Sequence, residues 1–185
     1  LNTCGNYNVA VGTSAMYTTS GNQNTAVGYL SLYKNTVSDN TAVGAYTLAC
    51  NTTGTYNTAV GYASQNYTNT GGGNTSLGRQ ALYLNNDGGA HNVAIGTFAM
   101  LDNTSGSCNV AVGTCALCDN TTGGNNVAVG WRSLYNNTTA GSNVAMGREA
   151  LVSNTTGAQN VAVGHTSLYT NITGDNNVGI GTCAL

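Results

Sequence analysis

The sequence predicts an all-β fold, a parallel β-solenoid (β-roll) of about eleven coils of about 17 residues each. Three observations predict it. An Asn-x-small-apolar-Gly block recurs eleven times, opening at Asn8, Asn24, Asn40, Asn57, Asn74, Asn92, Asn109, Asn126, Asn143, Asn160 and Asn177. Its spacing is 16, 16, 17, 17, 18 and then 17 five times, the signature of a stacked repeat. Each unit carries only two short apolar stretches broken by Gly and Asn-Thr-Thr-Gly, too little for a helix of ten or more residues.

With the opening Asn as position one, the unit reads N-[VT]-A-V-G-x-x-[AS]-L-x-x-N-T-T-G-x-x. The Asn-Val-Ala-Val stretch is β-branched and alternating, and reads as a strand. Gly fills position five in all eleven copies, where it permits a bend or a positive φ. Positions seven to ten, such as Ser31-Leu32-Tyr33, are expected to form a second short strand. Asn-Thr-Thr-Gly, as at Asn51 to Gly54, is turn chemistry, because Asn tolerates the left-handed region and bonds its own backbone. Length variation falls in this turn: the 18-residue copy inserts between Asp87 and His91.

Coils stacked at the strand spacing of about 4.8 Å give a rod on the order of 50 Å long. Equivalent residues then align as ladders. The expected structural ladders are those of Asn126, Ala128, Val129, Gly130 and Leu134 in one representative copy. Position four is always apolar, so Val129 and Leu134 are expected to face each other inside the coil. Position three, Ala in nine of eleven copies, then points outwards. A strip of Ala there predicts close approach of another backbone, and so association between copies, most simply a parallel homotrimer.

Composition narrows the function. Only 5% of the 185 residues are charged, and the net charge is −2, which offers no field for nucleic acid or an anionic membrane. No apolar run is long enough for a transmembrane helix, and no signal peptide is visible. The chain starts and stops part-way through a repeat, and reads as an excerpt of a longer fibre, one repeat domain over residues 1–185.

The N-V-A-V-G and N-T-A-V-G blocks resemble the S-V-A-I-G repeats of trimeric autotransporter adhesin heads. The 17-residue form with its Asn-Thr-Thr-Gly turn is similar to repeats in tail fibres of some bacteriophages. The resemblance implies a homotrimeric structural or adhesive fibre, extracellular, on a virion or cell surface. The alternatives are a self-assembling extracellular filament and an ice-binding solenoid, the latter on Thr at positions thirteen and fourteen.

Candidate chemistry is sparse. The six cysteines include one CxxC, Cys115-Ala116-Leu117-Cys118, and on a strand residues three apart face opposite ways. No shared metal is therefore expected, and the thiols read mostly as tolerated small residues. Glu149 is the single Glu, the five Asp lie in or beside the variable turns, and His91 and His165 have no carboxylate or Cys at catalytic spacing. Neither an enzyme nor a cofactor is expected. Asn51, Asn103, Asn120, Asn137, Asn154 and Asn171 open Asn-x-Ser/Thr sequons at position twelve, candidate N-glycosylation sites or plain turn residues. Tyr29, Tyr62 and Trp131 are the candidates for contact with a cell-surface glycan.

Overall fold

The computed structural model describes residues 5–68 and 70–185. It is all-β, and the described residues contain no helix. Strands β1 (Val9–Val11), β2 (Thr25–Val27), β3 (Thr41–Val43) and β4 (Thr58–Val60) each open one coil. β5 (Tyr67–Thr68) and β7 (Leu84–Asn85) flank β6 (Thr75–Leu77) in sequence. The remaining coils carry β8 (Val93–Ile95), β9 (Val110–Val112), β10 (Val127–Val129), β11 (Val144–Met146), β12 (Val161–Val163) and β13 (Val178–Ile180). Eleven of these form one parallel sheet in chain order, and β5 pairs with β7 separately. Register is strict: Ala128 pairs with Ala111 on one side and Ala145 on the other. The fold is thus a β-solenoid whose coils repeat about every 17 residues.

The interior differs from the expected one. Ala128 is fully buried, while Val127 and Val129 are only half-buried, and this pattern runs through the regular strands. Position three is therefore the inward one, and positions two and four face outwards. The reason is width. Leu134 at position nine fills the coil from the opposite wall, and the space left beside it admits a methyl group. The Ala strip is small because it is inside, not because another chain abuts it, and the argument for chain association from that strip falls.

Positions seven to ten are not a strand either. Residues at positions seven and nine take left-handed backbone angles, for example Cys115 at φ 55° and Leu117 at φ 52°, or Arg132 at 54° and Leu134 at 51°. Such angles are costly for residues with a Cβ. Backbone bonds between coils offset the cost: the Arg132 amide donates to the Thr114 carbonyl at 3.1 Å, and the Leu134 amide to the Ala150 carbonyl at 3.0 Å. The result is a bend in which positions eight and nine both face inwards, as Ser133 and Leu134 do. The second strands that exist, β5 and β7, lie at positions eleven and twelve of two adjacent copies.

Gly130 shows why position five holds no other residue. Its φ is +129°, and a Cβ there would sit 2.5 Å from the Gly147 carbonyl oxygen of the next coil. Positive φ and stacked backbone both exclude a side chain.

Two Asn ladders line the interior. The Asn126 amide donates to Asn109 Oδ1 at 2.9 Å, and its Nδ2 donates to the Ala140 carbonyl at 2.9 Å. At position twelve, Asn137 Nδ2 donates to Asn120 Oδ1 and to the Ala140 carbonyl. These bonds satisfy amides that would each cost about 1–3 kcal/mol if buried alone. They also absorb length changes. In the 18-residue copy the bond from the position-twelve Asn85 to the Gly89 carbonyl spans four residues, where the regular copies span three. In the two 16-residue copies the Asn8 and Asn24 Nδ2 donate to the Gly21 and Val37 carbonyls over thirteen residues rather than fourteen. The indels therefore lie in the turn, as expected.

Candidate functional surface

Because positions two and four alternate with a buried Ala, the sheet presents two columns outwards, one apolar throughout at position four and one of Val and Thr at position two. Position two is Thr25, Thr41, Thr58 and Thr75 in four coils and Val in the others; position four is Val, Leu, Ile or Met throughout. Leu77 and Met146 are close to half exposed, and the flanking valines are half-buried by their neighbours in the ladder. The apolar column at position four runs along all eleven strands, whereas position two is polar over the four consecutive strands β2, β3, β4 and β6.

The ladder residues take up two sides. Asn126, Ala128 and Leu134 are interior, Val129 is on the outer strip, and Gly130 makes the bend between strand and corner.

The three candidate glycan contacts do not form one site. Tyr29 and Tyr62 are about half exposed and both pack edge-on against Tyr46, at centroid distances of 5.3 and 5.8 Å. Trp131 lies four coils beyond Tyr62, roughly 19 Å along the rod at the strand spacing. Its ring is covered by Arg148 at 4.9 Å and Arg132 at 5.3 Å, and Glu149 sits between the two guanidiniums, 3.4 Å from Arg148 Nε and 3.7 Å from Arg132 Nη1. Arg132 also stacks on Tyr135 at 4.5 Å. Tyr46 and these arginines were missed in the sequence, although aligning copies sets Trp131 beside Arg148 at position six and Arg132 beside Glu149 at position seven.

The sequon asparagines are hydrogen-bonded within the turn. Asn51, Asn103, Asn120, Asn137 and Asn154 are fully buried, and each Nδ2 is a donor inside the coil. Asn171 is partly buried with the same bonds. Their role is the turn. Position-thirteen Thr hydroxyls are likewise engaged: Thr121 Oγ1 donates to the Thr138 carbonyl at 3.0 Å, and Thr138 to Thr155 at 3.1 Å.

Cys115 and Cys118 lie on a corner and not on a strand, so the strand rule of opposite faces does not apply to them. Positions eight and nine both turn inwards, and of the two thiols on either side of that pair Cys115 is half-buried and Cys118 buried. Cys4 lies outside the described residues. Among those described, no group of three or more His, Cys, Asp or Glu is arranged to hold a metal ion, and no helix is long and apolar enough to cross a membrane. Stacked carboxylates at position eleven do occur: burial, and then Asp119, raise the pKa of Asp102.

Comparison with protein-family models, with curated proteins and with solved structures finds no match to this chain.

Proposed function

We propose that the chain is a structural or adhesive fibre segment exposed on a virion or cell surface, in which copies associate side by side through the outer strip of positions two and four. The observation that carries this reading is the strip itself. It is parallel over eleven strands, apolar in all of them at position four and in seven of them at position two. At strand dimensions it measures about 50 Å by 10 Å, on the order of 500 Å² in projection. A standard protein interface buries about 800 Å² on each partner, the same order. Apolar patches of this extent mark interaction surfaces. The low charge leaves little electrostatic repulsion between copies. Three chains is the number implied by the resemblance to adhesin heads and phage fibres. Glycan contact, on this reading, falls to the Tyr29–Tyr46–Tyr62 cluster and to Trp131.

Light scattering across a concentration series tests it. A constant mass of three chains is expected, dropping to one chain in a Val112→Asp/Val129→Asp variant whose β content is unchanged. A monomeric parent chain overturns the reading. Growth without limit would instead identify an end-to-end filament.

A further inference from the structure

We infer that Tyr17 and Tyr33 form a modification site, at which a one-electron oxidant of the haem-peroxidase type couples the two rings into a dityrosine that rivets one coil to the next.

The geometry comes from the ladder. Tyr17 and Tyr33 hold position ten of adjacent coils. Their rings stack nearly parallel, at an interplanar angle of 15° with centroids 5.3 Å apart. Planes at a van der Waals separation of about 3.5 Å are then displaced sideways by about 4 Å, so an edge of one ring overlies an edge of the other. The backbone fixes this placement. The Met16 amide donates to the Ser31 carbonyl at 2.9 Å, and the Thr18 amide and Oγ1 both donate to the Tyr33 carbonyl, at 3.1 and 2.9 Å. A reagent in solution reaches the pair, because Tyr17 is 48% exposed and Tyr33 is only half-buried. The other tyrosine contacts differ in kind. Tyr29–Tyr46, Tyr46–Tyr62 and Tyr67–Tyr83 meet at 89°, 75° and 85°. In these an edge of one ring points at the face of its partner. Coupling joins the carbons beside the two phenol oxygens, which lie on the edges of both rings, so the parallel pair is the one arranged for it.

The step balances. Each phenol loses one electron and its hydroxyl proton and becomes a phenoxyl radical, with part of its spin on the ring carbons ortho to oxygen. One ortho carbon of each ring contributes to the new C–C bond. Each of these carbons then sheds its hydrogen as a proton, and each phenol oxygen takes a proton back. In sum two electrons and two protons leave the pair. Hydrogen peroxide, the terminal acceptor, takes them up and becomes two waters. Holding the two rings together replaces an encounter between radicals with a step inside one chain, which favours the internal product. The link joins coils that already touch, so the coil does not rearrange, and it does not depend on the backbone ladder.

The test treats the dilute folded chain with a haem peroxidase and hydrogen peroxide, follows dityrosine fluorescence and locates the link by peptide mass and fragmentation. The expected product runs as one chain under denaturing conditions, is lighter by two hydrogen atoms and carries the link between Tyr17 and Tyr33. Its Met16 and Thr18 amides should exchange with solvent more slowly than in the untreated chain. Tyr33→Phe keeps a ring in the stack but loses the hydroxyl, and should remove this product, whereas Tyr46→Phe should leave it unchanged. The inference is overturned if the parent chain couples mainly through Tyr7 or Tyr56, which are 86% and 70% exposed, or mainly between two chains, because coupling would then follow access and not stacking. An internal link at Tyr29–Tyr46, Tyr46–Tyr62 or Tyr67–Tyr83 in equal or greater yield also overturns it.

Discussion

The core of this solenoid is two cores. One apolar cluster runs from Met16 to Ala59 and the other from Ala81 to Leu168. Between them lies a polar coil. Gln65 replaces the Leu of position nine, and its Nε2 donates to Ser76 Oγ at 2.8 Å, where Ser76 replaces the Ala of position three. Ser64 shares a hydrogen bond with the same hydroxyl. Thr68 replaces the position-twelve Asn, so the second Asn ladder breaks in the same coil. Compensation is incomplete, since Gln65 Oε1 and Thr68 Oγ1 are buried without a hydrogen-bond partner. The comparison teaches how a thin solenoid tolerates a polar residue. One substitution in a ladder demands a second on the facing wall, one coil away, and the backbone pairing carries the rest. Stability in such arrays is a sum of coil and neighbour terms, so the polar coil is the place where the array divides.

The largest expected effect comes from moving the polar coil into the longer core. Leu134→Gln loses the burial of a Leu and buries an amide facing Ala128 and Ala145, with no serine on that wall to receive it. A loss of about 4 kcal/mol is expected in denaturant unfolding, from the lost burial and the unpaired polar group together. A loss below about 1 kcal/mol would mean that the corner at Leu134 opens freely to solvent.

Next is the inside–outside contrast within β10. Ala128→Phe is expected to cost about 3 kcal/mol, because the ring has no space against Leu134. Val129→Phe on the outer strip should change single-chain stability by less than about 0.5 kcal/mol. Equal thermal shifts in the two variants would return position three to the surface.

Repairing the divide should have the opposite sign. Gln65→Leu with Ser76→Ala joins the two apolar clusters and removes an unsatisfied oxygen, so a gain of about 1–2 kcal/mol is expected. Hydrogen exchange gives the sharper reading. In the parent chain the amides of residues 61–68 should exchange ahead of those in β9 to β12, and in the double variant that difference should vanish.

The smallest effect is electrostatic. Asp102 has a raised pKa from burial and then from Asp119, so it binds its proton more tightly folded than unfolded. Its contribution therefore favours the fold at low pH and is lost as pH rises through its folded pKa. Asp102→Asn should raise the melting temperature slightly at pH 7 and give no advantage at pH 3. An advantage at pH 3 equal to that at pH 7 would point to packing rather than charge.

Much of this was legible in the sequence because a solenoid writes its architecture as a period. The eleven Asn-x-small-apolar-Gly blocks located every main strand, the Asn ladder followed from their alignment, and the variable turn followed from the indels. The facing of the strand was not legible. An alternating Val-Ala-Val reads equally well with either face inwards, and hydrophobicity alone favours burying Val. What decides is the wall opposite: Leu134 in a narrow coil leaves room for the Ala128 methyl and not for Val129. The corner was misread for a related reason. Leu and Cys disfavour left-handed angles locally, and only bonds to the coils on either side hold Leu117 and Cys115 there.

The sequence by itself determined the repeat, the strand positions, the obligate Gly of position five and the turn that absorbs length changes, because those depend on backbone geometry that each copy states afresh. Tertiary structure alone decided which residues are interior, why the sequon amides point into the coil, and why Cys115 and Leu117 take left-handed angles. Each of these depends on the distance between two walls of one coil and on hydrogen bonds supplied by its neighbours, quantities that no single copy of the repeat contains.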